Sequence, residues 1–340
     1  MGAIGLECLN AAMMGETAAS TATGAVVSLP PLLKRKYDKL MITGAIQAGG
    51  ALGILIPPSI SFIVYGMISR QSIGHLWVAG ILPGFLLASM YVAYIGIRCR
   101  LQPHLGPPIP PEERVGWKGK FLSLRSAVGP VILIFSVIGL LLMGVTSILE
   151  CAAIGAAGAL VLAAIRRSLN WELLREVMTS TLQVTSFIMW IFVTAILFAA
   201  VYDGLGAVHA VENLLGMWEL GRWGQLIFMQ ASFLLMGTIL DDYAMLIIVA
   251  PLYIPIVAQL GFNLVWFGVL YVINCQMAYL TPPFGYNLFI MRAVVPKDSG
   301  ITLTDIYKSV IPFVAIQATC LGIVMAFPQI ALWLPRVIFG

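Results

Sequence analysis

Residues 49–60 read Gly-Gly-Ala-Leu-Gly-Ile-Leu-Ile-Pro-Pro-Ser-Ile, and residues 278–287 read Ala-Tyr-Leu-Thr-Pro-Pro-Phe-Gly-Tyr-Asn. Each proline pair lies near the middle of a long apolar run, 41–68 or 263–291. Proline donates no backbone hydrogen bond, so a pair of prolines frees carbonyl oxygens one turn back in a helix. At membrane depth such backbone is tolerated only where it is buried in protein or lines a cavity. The two pairs therefore predict two broken transmembrane helices; the alternative is a proline kink, which is what one proline in a span usually produces.

The composition is that of a membrane protein. Of the 340 residues, 60% are hydrophobic and 10% are charged, and the mean hydropathy is +0.96. Soluble domains carry about 25% charged residues, so an ordinary soluble enzyme, a nucleic-acid-binding protein and a disordered chain are excluded. The five cysteines have no CxxC spacing, and the three histidines are scattered, so we expect no disulfide framework, metal site or cofactor.

Other apolar runs are long enough to cross a bilayer, which takes about 20 residues. They are 76–97, 127–149, 179–202 and 310–334, with a shorter candidate at 151–165. Two further stretches, 1–33 and 224–260, are interrupted by polar residues, and we expect them to re-enter the membrane rather than cross it.

Between the spans lie two polar connections. The proline-rich residues 99–126 are interpreted as a semi-extended cytoplasmic linker. Residues 168–178 are interpreted either as an amphipathic surface helix or as a simple helical connector.

The basic residues set the orientation. With these spans, all but three of the 19 lysines and arginines lie on one side, as the positive-inside rule expects. The exceptions are Arg70, Arg222 and Arg336. In this topology hairpin 1–33 opens from the cytoplasm and hairpin 224–260 opens from outside.

The two halves of the chain also match in order. The offset is 222 residues between Gly15 and Gly237, 225 between the proline pairs, and 229 between Pro83 and Pro312. An inverted repeat with discontinuous helices is the plan of secondary transporters. We therefore divide the chain into a first repeat, a linker, connecting spans and a second repeat. Their bounds are 1–98, 99–126, 127–223 and 224–340.

The ionisable residues predicted at membrane depth are acidic, namely Glu16, Glu150, Asp241 and Asp242. Such residues are functional candidates, and an acidic site with no basic partner favours cation or proton handling. The alternative for Glu16, and for one of the two aspartates, is a helix N-cap. Glu150 follows Thr146 and Ser147 and is interpreted as a cap or packing residue.

The sequence resembles the large membrane (M, DctM-like) subunit of TRAP transporters over essentially its whole length. The matching motifs are Lys36-Tyr-Asp, the stretch 49–60, Ala79-Gly-Ile-Leu-Pro-Gly, Gly237-Thr-Ile-Leu-Asp-Asp and Thr281-Pro-Pro-Phe-Gly-Tyr-Asn-Leu-Phe. The resemblance implies an all-α, multi-pass, elevator-type transporter of the bacterial inner membrane with two re-entrant hairpins. It is not an enzyme family. The resemblance also implies that the family's N-terminal scaffold helices are missing from this sequence.

The implied activity is tripartite, ATP-independent, Na⁺-coupled uptake of an organic acid. The implied partners are a periplasmic substrate-binding protein, a small membrane (Q) subunit and the lipid bilayer, with no nucleic acid. The alternative is a stand-alone Na⁺/dicarboxylate carrier with the same inverted repeat.

The resemblance further implies two Na⁺ sites and a substrate site. One Na⁺ site would involve Gly15, Thr17, Gly53, Ile56 and Pro58. The other would involve Gly237, Asp241, Ala278, Thr281 and Phe284. Substrate would lie between the hairpin tips and the proline breaks, near Glu16, Ser59, Asp242, Pro283 and Asn287. Two departures from the family pattern are Glu16 in a tip that is usually rich in Gly and Ser, and Ala278 where Gly is common.

Overall fold

The computed structural model describes residues 2–107, 116–206, 221–296 and 299–340. Within these ranges the chain is α-helical, with short 3₁₀ turns at Leu52–Ile54 and Pro103–Leu105 and no strand. The helices are α1 Gly2–Met14, α2 Thr17–Lys34, α3 Lys39–Ala51, α4 Ile60–Ser69, α5 Ile73–Leu101, α6 Trp117–Leu142, α7 Ile148–Ile165, α8 Trp171–Gly204, α9 Arg222–Gly237, α10 Asp242–Gln259, α11 Leu264–Tyr279, α12 Tyr286–Val294, α13 Leu303–Ala326 and α14 Gln329–Phe339.

Five of the described helices are long and apolar enough to cross a membrane: α5, α7, α8 over Trp171–Phe198, α10 and α13. Together with the composition, they make this a multi-pass membrane protein. Helix α10 lies in the stretch 224–260 that we expect to re-enter, and its length and composition fit a crossing equally well. Re-entry of that hairpin therefore stays a prediction.

Both long apolar runs are interrupted where the proline pairs predict. The first run divides into α3 and α4 around Pro57–Pro58, and the second into α11 and α12 around Pro282–Pro283. Both Pro–Pro peptide bonds are cis. The non-helical residues between the half-helices leave backbone groups that other parts of the fold must satisfy.

The repeat predicted from sequence appears in the packing. Helices α1–α5 correspond in order to α9–α13, and the contacts are reciprocal. Half-helix α4 packs on α10, and its counterpart α12 packs on α2. Likewise α3 packs on α13, and α11 packs on α5. Each repeat therefore supplies helices that cover the hairpin and broken helix of the other.

Residues 108–190, with α6, α7 and the first part of α8, form a second compact unit, while residues 1–107 and 191–340 form the first. In the second unit α6 packs on α7. Helix α7 begins with a capping box in which Ser147 Oγ accepts from the Glu150 N–H at 3.3 Å, and the Glu150 carboxylate accepts from the Ser147 N–H at 2.6 Å. The cap interpretation of Glu150 is confirmed.

Helices extend into both ends of the predicted linker, residues 99–126. Helix α5 continues to Leu101, and α6 begins at Trp117. The linker prolines end at Pro111, so nothing after that residue prevents helix formation. The segment 168–178 is not a separate element either, since residues from Trp171 onward start the unbroken α8. Pro108, Pro110, Pro111, Arg114 and Lys297 lie outside the described residues.

The packing of α3 on α13 depends on Gly44. An added Cβ would overlap the Ser309 carbonyl oxygen and lie 2.7 Å from the Phe313 ring. We predict that Gly44→Ala lowers the melting temperature in detergent, because overpacking a close helix contact costs about 1–3 kcal/mol. Gly322→Ala on α13 is the control, since no atom lies within 4 Å of its Cβ position. Equal melting temperatures for the two variants would contradict the proposed role of Gly44.

Candidate functional site

Two helical hairpins present their tips to the proline breaks. Hairpin 1 is α1 and α2 joined at Gly15–Glu16, where Gly15 has a φ of +64°. Hairpin 2 is α9 and α10 joined at Thr238–Asp241. The left-handed backbone of the first tip favours glycine, because a side chain there is sterically disfavoured.

Acidic residues cap the second helix of each hairpin. The Glu16 carboxylate accepts from the N–H groups of Ala18 at 3.2 Å and Ala19 at 3.1 Å. The Asp241 carboxylate accepts from the N–H of Tyr243 at 3.2 Å. The cap alternative is therefore confirmed for Glu16 and for Asp241. Both residues are half-buried.

The tip of hairpin 1 contacts the first proline break. The Ile60 N–H donates to the Gly15 carbonyl at 3.4 Å. A Cβ on Gly15 would lie 2.6 Å from the Pro58 carbonyl oxygen, and one on Gly53 would lie 2.8 Å from the Glu16 carbonyl oxygen. Thr17, the first residue of α2, is fully buried, and its hydroxyl has no hydrogen-bond partner in the described chain.

The tip of hairpin 2 contacts the second break in the same way. The Phe284 N–H donates to the Thr238 carbonyl at 3.0 Å. A Cβ on Gly237 would lie 2.7 Å from the Ala278 Cβ. Ala278 is the second-last residue of α11, and its carbonyl accepts from the Thr281 N–H at 3.0 Å. Each break is therefore hydrogen-bonded to the hairpin of its own repeat.

Buried polar contacts join the repeats, and two of them involve predicted site residues. Ser61 Oγ on α4 donates to Asp242 Oδ2 on α10 at 2.7 Å, and Asp242 Oδ1 has no partner in the described chain. Asn287 Nδ2 on α12 donates to the Gln47 carbonyl on α3 at 3.2 Å, and its Oδ1 is also unpartnered. Asp242 and Asn287 therefore each keep one free acceptor beside the breaks.

The charge near the tips is negative. Asp242 is 1% exposed, and the charged groups that act most strongly on it are Asp241 and Glu16. Glu16 acts on Asp241 as well. The structure thus brings the carboxylates of both hairpin tips within electrostatic reach of one another. Such an arrangement attracts cations, because like charges at short range repel when no counter-ion is present.

Some predicted site residues have other roles. The buried Ser59 hydroxyl donates to the Ile54 carbonyl and accepts from the Phe62 N–H at 3.4 Å, so it caps α4. Its carbonyl accepts from Trp77 Nε1 at 3.1 Å. Ile56 and Thr281 are half-buried, whereas Pro283 and Phe284 are exposed. Thr281 Oγ1 donates to the Met277 carbonyl at 2.7 Å.

Three residues of this region were not singled out from the sequence: Ser61, Gln47 and Tyr271. The Tyr271 hydroxyl donates to the Asp242 carbonyl at 2.7 Å. The serine follows a proline pair by three residues, which could have marked it as the first turn of a half-helix. Its partner lies 181 residues away, and no local pattern indicates that contact.

Comparisons with known proteins show the family of this chain. The family model for the DctM component of the tripartite ATP-independent periplasmic transporters matches residues 3–330. The chain belongs to this family. Large permease subunits of this kind are transport proteins, not enzymes, and work with a small subunit and a periplasmic binding protein.

The relatives are similar along nearly the whole chain. The C4-dicarboxylate TRAP transporter large permease DctM of Pseudomonas aeruginosa is 28% identical over 333 residues, covering 97% of this chain and 76% of the relative. The ectoine permease TeaC of Halomonas elongata is 27% identical, with coverages of 96% and 75%. The isethionate permease DctMQ of Oleidesulfovibrio alaskensis is 25% identical, with coverages of 97% and 51%.

The Ser61–Asp242 contact gives a stability prediction. We expect Ser61→Ala to lower the free energy of unfolding by about 1–3 kcal/mol, because it removes a hydrogen bond from a buried carboxylate. The measurement is thermal unfolding in detergent. Ser89→Ala is the control, since the exposed Ser89 hydroxyl donates only to the Phe85 carbonyl of its own helix. If both variants melt alike, the contact does not stabilise the fold.

Proposed function

We propose that this chain is the large membrane subunit of a Na⁺-coupled TRAP transporter of the bacterial inner membrane. It would take up an organic acid delivered by a periplasmic binding protein, with a small membrane subunit as its partner. The observation that best supports the proposal is that each hairpin tip meets the proline break of its own repeat. Discontinuous helices at a repeat interface are where secondary transporters bind substrate and coupling ions.

The two Na⁺ sites are proposed at these meeting points. Hard cations prefer oxygen ligands, and backbone carbonyls and hydroxyls supply them here. The first site would use the tip residues Gly15 and Thr17 with Gly53, Ile56 and Pro58. The second would use Gly237, Asp241, Ala278, Thr281 and Phe284. Carbonyl oxygens that already accept one hydrogen bond keep a second lone pair for a cation.

The negative charge of the site is proposed to couple Na⁺ binding to substrate binding. Glu16, Asp241 and Asp242 repel an organic anion until cations neutralise them. Na⁺ would therefore bind first and make the region between the tips favourable for a carboxylate. Asn287 would then donate to or accept from the substrate after its contact with Gln47 changes.

The substrate is proposed only as a class. Relatives are named for C4-dicarboxylate, ectoine and isethionate. These names differ while the framework is shared, so the binding protein is expected to determine which organic acid is delivered. The fully buried Ser59 would contribute to the substrate region mainly by capping α4.

The movement is proposed to be an elevator. The reciprocal contacts of α1–α5 with α9–α13 make the two hairpins and two broken helices one packed body. In our predicted topology the hairpins re-enter from opposite sides of the membrane. A body of this kind can carry its site across the bilayer without separating the tips from the breaks.

The coupling proposal predicts the behaviour of Asp241. Asp241→Asn keeps a capping side chain but removes its charge, so we expect the Na⁺ concentration for half-maximal uptake to rise about tenfold, or about 1.4 kcal/mol. We expect the same direction for Asp241→Ala. Uptake is measured in proteoliposomes with the small subunit and binding protein of the same source.

Asp305→Asn is the control, since Asp305 caps the exposed start of α13. If the Na⁺ concentration for half-maximal uptake is unchanged in both Asp241 variants, the second Na⁺ site is refuted. Uptake that needs no binding protein would identify a stand-alone carrier instead.

The first site is tested by a pair of glycines with the same backbone conformation. Gly15 and Gly144 have φ values of +64° and +66°, but only a Cβ on Gly15 would meet another atom, the Pro58 carbonyl oxygen. We predict that Gly15→Ala raises the Na⁺ concentration for half-maximal uptake. Gly144→Ala should leave that concentration unchanged and only destabilise the fold by about 1–2 kcal/mol through backbone strain. Identical Na⁺ dependence in the two variants would argue against a site at this tip.

A further inference from the structure

A second acidic position lies inside hairpin 1, away from its tip. Glu7 is on α1, eight residues before Gly15, which is about 12 Å along a helix. Its side chain is fully buried, and neither carboxylate oxygen has a hydrogen-bond partner in the described chain. Asn10 and Ser28 lie beside the carboxylate, but neither reaches hydrogen-bond geometry.

Two glycines make room for this side chain. A Cβ on Gly24 of α2 would overlap the Glu7 carboxylate, and a Cβ on Gly49 of α3 would lie 2.5 Å from the Glu7 Cβ. The carboxyl group is therefore enclosed where α1, α2 and α3 meet. Because no part of Glu7 is exposed, a charged side chain of another subunit could not contact its carboxylate.

The surroundings of Glu7 offer no positive charge. The groups that act on its carboxylate are Asn10 and Ser28, both neutral, and no lysine or arginine of the described chain is among them. The titratable groups nearby are the Cys8 thiol on the same helix and the Tyr91 phenol of α5, which faces Cys8. Both are uncharged in their ordinary state at neutral pH.

Polar side chains lie along α2 between the hairpin tip and the region of the enclosed carboxyl. Helix α2 carries a row of buried hydroxyl groups that lack hydrogen-bond partners in the described chain: Thr17, Ser20, Thr21 and Ser28. Spacings of three, four and seven residues place them on one face of the helix. The row begins at the tip and ends beside Glu7.

An ionised carboxylate without a partner is too costly to keep in such a place, so it takes up a proton or a counter-ion. We propose that Glu7 is a proton-binding site, distinct from the cation sites at the hairpin tips. The proton neutralises the carboxyl and allows α1 to pack on α2 and α3. Raising the pH removes the proton, leaves a buried charge and weakens this packing.

Infrared spectroscopy of the whole protein tests the site without any transport assay. A protonated carboxyl has a C=O stretch separate from that of a carboxylate, and isotope-labelled glutamate separates Glu7 from the aspartates. Glu7 is the only fully buried glutamate among the described residues. We expect an acid band at neutral pH that shifts with the label and is lost in Glu7→Gln but retained in Glu150→Gln.

An acid band that is unchanged in Glu7→Gln, or no labelled acid band at all, would overturn the proposal. If Glu7→Gln does not fold, a pH titration of the acid band in the labelled, unmodified protein tests the proposal instead. The acid band must then be lost as the pH rises.

Transport gives a second readout, which rests on the proposed function. Glu7→Gln imitates the protonated form, so we expect uptake by this variant to persist at alkaline pH values where uptake by the unmodified protein is lost. The same alkaline loss in both would show that the proton on Glu7 does not govern transport. If neither protein transports, the proposed function fails, and the infrared result still decides whether Glu7 binds a proton.

Discussion

The structure depends on satisfying the backbone groups that two proline pairs leave unbonded. A broken helix inside a membrane needs partners for its free N–H and C=O groups, because lipid supplies none. In each repeat the hairpin tip supplies one. The Gly15 carbonyl receives the Ile60 N–H, and the Thr238 carbonyl receives the Phe284 N–H. The close approach that this requires explains the glycines Gly15, Gly53 and Gly237.

The broken helices and hairpins were predictable because their signals are local. The helices are interrupted at the two proline pairs that lie within long apolar runs, whereas Pro30 and Pro31 lie inside α2. A glycine followed by an acidic residue marks a tight turn and a cap. The contacts between repeats were not predictable in this way. Ser61 and Asp242 are 181 residues apart, and Asn287 and Gln47 are 240 apart. Only the reciprocal packing of the half-helices brings these pairs together.

The cap and cation interpretations of the tip carboxylates are compatible. The sequence presented them as alternatives, and both Glu16 and Asp241 are N-caps in the structure. A capping carboxylate is fixed in position by the N–H groups it accepts, so its remaining lone pairs point in a defined direction. Fixing the ligand in advance lowers the ordering cost of binding an ion. Capping therefore prepares these residues for the proposed role.

The two acidic residues of hairpin 1, Glu7 and Glu16, differ in burial and therefore in which ions can bind them. Glu16 is half-buried at the tip, where Asp241 and Asp242 act with it. Glu7 is enclosed by three helices and closed off by Gly24 and Gly49. A hydrated ion of any size needs space and several oxygen ligands, whereas a proton needs neither. We therefore propose metal cations at the tip of this hairpin and a proton in its interior.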